Sequence, residues 1–387
     1  MRGNHLVIGI YYHPEVFPPT LNAVNELTDC FNSISIIYRP NLKGTWKYPA
    51  NVKVIPSGSF ISSADQENSG AIRKIVFYAR FVYDLLCECL AGRPRVILLY
   101  DNIALLAYRI VRPFLFFRHK VWYHNHDIAE IERTRKFSVG WFACKSEIVY
   151  FKKIDLFTLP TGERMRFFHV DELKGQYFIL PNYPSRKFYS KFYTPKLIKN
   201  DIILIFQGRI SEDHGLEEII RLLKTNIGGR QLKLVLKGHC SDLYKNHLLR
   251  IAADSGVEEL IEIIGFTPYE EVPLVTTGCH IGIAIFAKTD VMNSTLGKAS
   301  NKIYEYAALG LPVIYLEHSG VSSVLNQFEW AIPVALSLDS IKAGIEKIIE
   351  NYKYYSAMAH TAFNEQMNFE SYFEGVRQYL INDIARK

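Results

Sequence analysis

The chain has 387 residues, 49% of them hydrophobic and 22% charged, with a formal net charge of +6. That length exceeds what one ordinary core fills, so two domains are expected, and the composition excludes a disordered chain. No run approaches the roughly 18 apolar residues of a membrane span, and residues 1–12 lack a secretory-leader pattern, so a cytoplasmic location is expected. The six cysteines are scattered without CxxC spacing, and reduced thiols are the expected state.

Taken in chain order, His5–Tyr12 has the apolar character of a buried strand. A loop through Pro18, Pro19 and Thr20 leads to a helix from about Leu21 to Phe31. Strands follow at Ser33–Tyr38 and Val52–Ile55, then a Ser/Gly-rich loop at 57–70 and a helix over Ile72–Leu90. Arg95–Tyr100 reads as a strand ending at Asp101, Ile103–Phe117 as a helix and Lys120–Tyr123 as a strand. A helical step at Ile148–Lys152 and strands at Asp155–Thr158 and Tyr177–Leu180 complete this series. Pro181–Lys199 carries three prolines and no period, as expected of an interdomain linker. The alternation restarts at Ile202–Phe206, with further strands at Leu232–Leu236, Ile261–Ile264, Ile281–Phe286 and Val313–Leu316. Helices are expected between them at 215–224, 242–255, 268–276 and 301–309, and the segment Leu338–Ile384 reads as amphipathic helix.

Strands alternating with helices imply parallel sheets covered on both faces. The fold class expected is therefore α/β, with two doubly wound domains at 1–185 and 200–365, facing across a cleft. A C-terminal helix over 366–387 is expected to pack back on the first. Charge divides along the same line. Residues 1–200 hold 28 Lys/Arg against 16 Asp/Glu, and the remainder holds 17 against 23. The basic residues of the first half are mixed with aromatics in Arg112–Lys120 and Arg133–Phe137. That mixture suits an anionic membrane surface better than nucleic acid, although a solvated face accounts for either stretch alone equally well.

In such sheets ligands bind beyond the carboxyl ends of the strands. Gln207-Gly208-Arg209 follows one strand, and Arg209 can fork onto phosphate oxygens where Gly208 lets a ligand approach. His214, five residues on, could reach the same anion. Gly238, after another strand, admits a ligand or merely turns the chain. Phe266, after Gly265, offers an apolar wall. Asn293–Leu316 reads as a polar loop, a helix capped at Ser300 or Asn301, a turn at Gly310 and a buried strand. Lys298 and Lys302 bracket the start of that helix, a ready anion site, and Glu305 lies one turn further in. In the first half, Tyr123–Asp127 (YHNHD) ends a strand. Its two histidines could serve acid–base chemistry or hydrogen-bond a sugar, with metal binding the weakest reading.

The run Phe206–Arg209 (FQGR), the Gly265 step and Ser300–Ile314 (SNKIYEYAALGLPVI) resemble, in order and spacing, the GT-B glycosyltransferases, and family 4 in particular. Tyr123–Asp127 and Pro181-Asn182 extend the resemblance more loosely into the first half. It implies a retaining hexosyltransferase that moves a sugar from a nucleotide diphosphate sugar to a glycan or lipid-linked acceptor in surface polysaccharide synthesis, without metal or other cofactor. Glu305 would hold the donor ribose; Arg209, Ser300 and Asn301 the diphosphate; and Phe266 the base, with Gly208, His214, Gly238 and Lys298 around them. His126 would sit near the transferred sugar, and Thr20 and Asp127 would face the acceptor. Catalysis would rest on His126, Arg209 and Glu305. The chain departs from the pattern at Gly297, where the family has a second glutamate, at His214, where it has a lysine, and at Pro18-Pro19-Thr20, where it has a glycine pair. Gly297 reads as altered sugar specificity. The alternatives are a nucleotide-sugar epimerase or hydrolase of the same fold, or a non-catalytic nucleotide-sugar-binding protein.

Overall fold

A computed structural model describes residues 4–62, 65, 68–287 and 290–385, the side chains of 383–385 excepted. The chain forms two compact units. One contains the residues up to Pro181 together with the chain from Tyr372 on, and the other is Asn182–Ser371.

The first unit holds a parallel sheet of seven strands: β1 (His5–Ile10), β2 (Ser33–Tyr38), β3 (Val52–Pro56), β4 (Val96–Tyr100), β5 (Lys120–His124), β6 (Leu156–Leu159) and β7 (Gln176–Ile179), in the order β3-β2-β1-β4-β5-β6-β7. β1 and β4 are buried along their whole length, as central strands covered by helices on both faces must be. Two helices begin earlier than the pattern suggested. The first runs Pro18–Leu27, because prolines at its opening positions suit the first turn of a helix rather than a loop. The helix Asp101–Val111 starts directly on the last residue of β4. The C-terminal helix Phe369–Ala385 places Arg377 against Glu26, Asp29 and Glu374, and Phe373 beside Trp122.

The second unit is built on β8 (Ile202–Gln207), β10 (Arg230–Lys237), β11 (Ile261–Ile264), β12 (Ile281–Ala284), β13 (Val313–Leu316) and β14 (Ala331–Val334), in the order β11-β10-β8-β12-β13-β14 and all parallel. The short strand β9 (Asn226–Ile227) pairs antiparallel with β10. β14 escaped the sequence reading because it is four residues long and holds a proline, which an edge strand tolerates. The stretch expected to be a linker is folded into this unit from Asn182 onward. It contains the helix Arg186–Tyr189, buries Tyr189, stacks Tyr193 on His360, and sets Lys196 on the carbonyls of Thr277 and Cys279. Among the described residues no helix is long and apolar enough to cross a membrane.

Candidate active site

Gly208, Arg209 and Gly238 follow β8 and β10 directly, and Glu305 reaches Gln207 at the end of β8. Gly208 and Gly238 each follow a strand with φ of +117° and +132°, a region that glycine alone enters freely. They lie back to back: a Cβ on Gly238 would stand 2.0 Å from the Gly208 carbonyl oxygen. Gly238 therefore serves the backbone, letting two strand-ending turns touch. Arg209 is exposed and makes no ion pair among the described residues. It lines a cavity of about 250 Å³ with Ser211, Glu212, Asp213, His239 and Tyr244. Phe266, just past the edge strand β11, is 58% exposed, as a wall awaiting a planar ligand would be.

The helix Asn301–Ala308 is almost wholly buried, because Tyr304 and Tyr306 spend their rings on the core and their hydroxyls on backbone. Tyr306 Oη receives the Gln207 amide at 2.9 Å, and Tyr304 donates to the Gly297 carbonyl at 2.9 Å. Gly282 in β12 is required by the same packing, since a Cβ there would fall 2.3 Å from the Tyr306 ring. Ser300 is the N-cap and is buried, but its hydroxyl makes no capping hydrogen bond. Asn301 and Lys298 are half-buried. Lys298 sits in a short turn, Gly297–Ala299, whose carbonyls accept from Asn182.

Glu305 projects from this helix to the ends of β8 and β10. It accepts from Gln207 Nε2 and lies beside Tyr189, Lys237 and Lys302. Gln207 in turn receives the Thr276 hydroxyl at 2.8 Å, and Lys237 donates to Thr267 at 2.6 Å. Burial pushes the Glu305 carboxyl up to about 7, against the pull of Tyr189 and the two lysines. Burial likewise lowers Lys302 to about 7, with Glu305 opposing. Sequence reasoning missed Gln207, Lys237 and Tyr189 as members of this network. The available signal was a polar residue closing each apolar strand, at Gln207 and Lys237.

His214 stands apart from this charge chemistry. It is buried, packed on Phe206 (centroids 4.4 Å) and edge-on to Phe286, with Nδ1–H donated to the Ile285 carbonyl at 2.9 Å. Burial, then the neighbouring Lys302, lowers its pKa to about 4. Burial thus disfavours the cationic contact that its spacing from Arg209 suggested.

In the first unit the structure brings Thr20 and His126 together. His126 is stacked between Phe17 and Tyr100 at centroid distances of 4.5 and 4.9 Å, and its Nε2 lies 2.9 Å from Thr20 Oγ1. Its Nδ1 faces His124 Nε2 at 3.2 Å, and His124 Nδ1 faces Thr158 Oγ1 at 2.8 Å. The Trp122 indole can only donate, and it donates to Thr158 Oγ1 at 2.8 Å. Thr158 keeps a hydrogen of its own that His124 Nδ1 is placed to accept. In that arrangement His124 and His126 both carry hydrogen on Nε2, and Thr20 accepts. Burial lowers His124 to about 3 and His126 well below its ordinary value, so both rings are neutral. The backbone of His126 is held as firmly: Asp101 accepts its amide at 2.7 Å and Arg164 donates to its carbonyl. Asp101, at φ +62°, also takes the Asp127 amide, leaving the Asp127 side chain exposed. Both ring nitrogens of His126 are thus engaged within the first unit.

Residues 191–365 match the family model of the glycosyl transferases group 1. No curated protein matches the chain. Among solved structures it is similar to sucrose-phosphate synthase from Thermosynechococcus elongatus, at 11% identity over 99% of this chain and 100% of that one, with a TM-score of 0.72. It is also similar to Anabaena HepE in complex with UDP and glucose (13% identity, 98% and 99% covered, TM-score 0.66). A third is WaaG, a glycosyltransferase involved in lipopolysaccharide biosynthesis (13%, 97% and 99%, TM-score 0.63). The chain thus has the GT-B glycosyltransferase fold, two Rossmann-like parallel-sheet units, with a glycosyl transferases group 1 match across most of the second.

Proposed function

We propose that the protein is a nucleotide-sugar-dependent glycosyltransferase that transfers a hexose, with retention, to a glycan or lipid-linked acceptor of surface polysaccharide assembly. The observation that carries this reading is the convergence of Arg209, Gly208 and Glu305 at the carboxyl ends of β8 and β10, inside the glycosyl transferases group 1 match. Glu305 takes the donor ribose. Arg209 and the amides at Ser300 and Asn301 take the diphosphate, and Phe266 covers the base. HepE has been seen with UDP and with UDP-glucose, which makes uridine donors the first to test.

In the reaction the anomeric C–O bond to the diphosphate breaks and a C–O bond to the acceptor hydroxyl forms on the same face. The acceptor's proton passes to the departing phosphate oxygen. The protein's part is electrostatic: fixed cations and backbone amides stabilise charge growing on the leaving group, and no protein nucleophile is required. Gly297, where a second carboxylate would meet the sugar, marks altered sugar specificity.

Glu305→Ala and Arg209→Ala should each lower turnover at least tenfold, about 1.4 kcal/mol of transition-state stabilisation. Wild-type rates in both, with every donor tried, would remove the site assignment. A thermal-shift screen against UDP, GDP, CDP and ADP sugars identifies the donor, because a ligand of the folded state raises its melting point. The neutral His214 and Gly297 favour one second reading, a non-catalytic nucleotide-sugar binder. Tight nucleotide binding without product for any donor–acceptor pair would select it.

Peripheral attachment to an anionic membrane belongs to the same proposal. At the amino ends of β4 and β5, Arg95, Arg112, Arg118 and Lys120 line a cavity of about 270 Å³ that holds one acid, Asp155. Phe116, in the same loop, is 92% exposed. Co-sedimentation with phosphatidylglycerol vesicles, but not phosphatidylcholine, is expected, and Phe116→Ser with Arg118→Glu should abolish it. Equal binding to both lipids would overturn the electrostatic account.

A further inference from the structure

Lys302 is the second residue of the helix Asn301–Ala308, and its ammonium reaches back to the turn after β8. Nζ stands 3.9 Å from the centroid of the Phe206 ring and 5.0 Å from that of Phe286. These are the same two rings that enclose His214. Nζ and Cε would both lie 3.2 Å from a Cβ built on Gly208, so the amine occupies the space that glycine leaves beside Arg209. Among the described residues Lys302 makes no hydrogen bond and no ion pair. Its neighbours are two aromatic faces and, through space, Glu305. A half-buried ammonium that donates to no described protein group, beside the turn after β8, can serve an arriving anion. His214 is less suited to that anion, since burial disfavours its charged form and Nδ1 is already bonded to a carbonyl.

We infer that Lys302 supplies the positive charge that, with Arg209, binds the diphosphate of the nucleotide sugar, in place of His214. This rests on the donor site proposed above and assigns within it a residue whose charge arrives from the helix rather than from the loop after β8. The two aromatic rings meet the ammonium by their faces, and an arriving diphosphate would favour its charged form against the burial that opposes it.

Isothermal titration of the full chain with UDP, and with uridine as the phosphate-free probe, tests the assignment. Lys302→Met should weaken UDP at least tenfold and flatten the salt dependence of its binding, while uridine affinity changes less than about twofold. Lys302→Arg, which keeps the charge, should restore most of the UDP affinity. Lys302→Gln, of similar polarity and uncharged, should behave like Lys302→Met, and it secures the result if the methionine variant folds poorly. UDP affinity unchanged in both uncharged variants would overturn the inference. So would an equal loss for uridine and UDP, which would show a packing role, or a loss produced by His214→Gln and not by Lys302→Met. If the wild-type protein binds none of UDP, GDP, CDP or ADP, the donor-site reading itself falls, and this assignment with it. If it binds one of them and the uncharged Lys302 variants match it, only this assignment falls.

Discussion

Two glycines that close neighbouring strands make a sharp test of the site's construction. Gly238 has φ +132°, and a Cβ there would meet the Gly208 carbonyl oxygen at 2.0 Å, its carbon at 2.8 Å and its nitrogen at 3.2 Å. All three are backbone atoms, so no side chain can swing aside. Gly265 follows β11 in the same manner, yet a Cβ there meets nothing within 4 Å and its φ is not positive. For Gly238→Ala, left-handed strain of about 1–2 kcal/mol adds to an overpacking cost of about 1–3 kcal/mol. The stiffer unfolded chain returns about 0.4–1 kcal/mol, leaving a net loss of roughly 1–4.6 kcal/mol. In a unit the size of Asn182–Ser371, each kcal/mol moves the melting point by about 2–4 °C, so a fall of roughly 2–18 °C is expected. Gly265→Ala should stay within about 2 °C of wild type on the same scale. Thermal unfolding followed by circular dichroism, with and without UDP, measures both, and the nucleotide marks the transition that belongs to the second unit. A Gly238→Ala melting point within about 2 °C of wild type would refute the back-to-back geometry. So would an equal loss in Gly265→Ala.

Stability should also fall in mild acid. His124 and His214 are held at about 3 and about 4 in the folded chain, below the ordinary 6.5, so the unfolded chain takes up protons first as pH drops. Their contribution is whole above pH 6.5 and shrinks toward the folded values. At pH 5 each should cost about 2 kcal/mol, read as a melting point that declines from pH 6.5 downward, and a flat profile would contradict it. Thr158→Val removes the oxygen that receives the Trp122 indole and gives to His124, stranding two buried groups at about 1–3 kcal/mol each. Nitrogen-15 spectra of the wild-type protein should show His124 and His126 with hydrogen on Nε2, and the valine variant should show mixed tautomers. A wild-type His126 with hydrogen on Nδ1 would reverse the chain of donors.

Much of the fold was legible because parallel strands buried on both faces are written as short apolar runs, and β1, β4, β8 and β12 are such runs. The rule that ligands gather after strands singled out Gly208, Arg209, Gly238 and Phe266. It carries no information about burial. His214 has the spacing of a phosphate contact, but only the packing of Phe206 and Phe286 around it shows that burial disfavours its charge. Pro18 and Pro19 read as loop because proline breaks helices in general, whereas at the first turn it starts one. Tyr189 lay in a proline-rich stretch with no period. Nothing local in that stretch announces a hydroxyl beside Glu305.

That stretch bears on how the second unit could be isolated. Between Asn182 and Lys199 the chain is tied down at Asn182 by the Ala299 carbonyl, at Tyr193 by His360, and at Lys196 by two further carbonyls. The stretch is nonetheless exposed at Thr194, Pro195, Leu197 and Lys199, where a protease can reach it. A fragment begun at Asp201 would uncover the carbonyls of Thr277 and Cys279, lose the ring beside His360 and open the wall next to Glu305. Anyone cutting this chain to study the second unit alone should begin no later than Asn182, since Tyr189, the neighbour of Glu305, comes before the sheet starts.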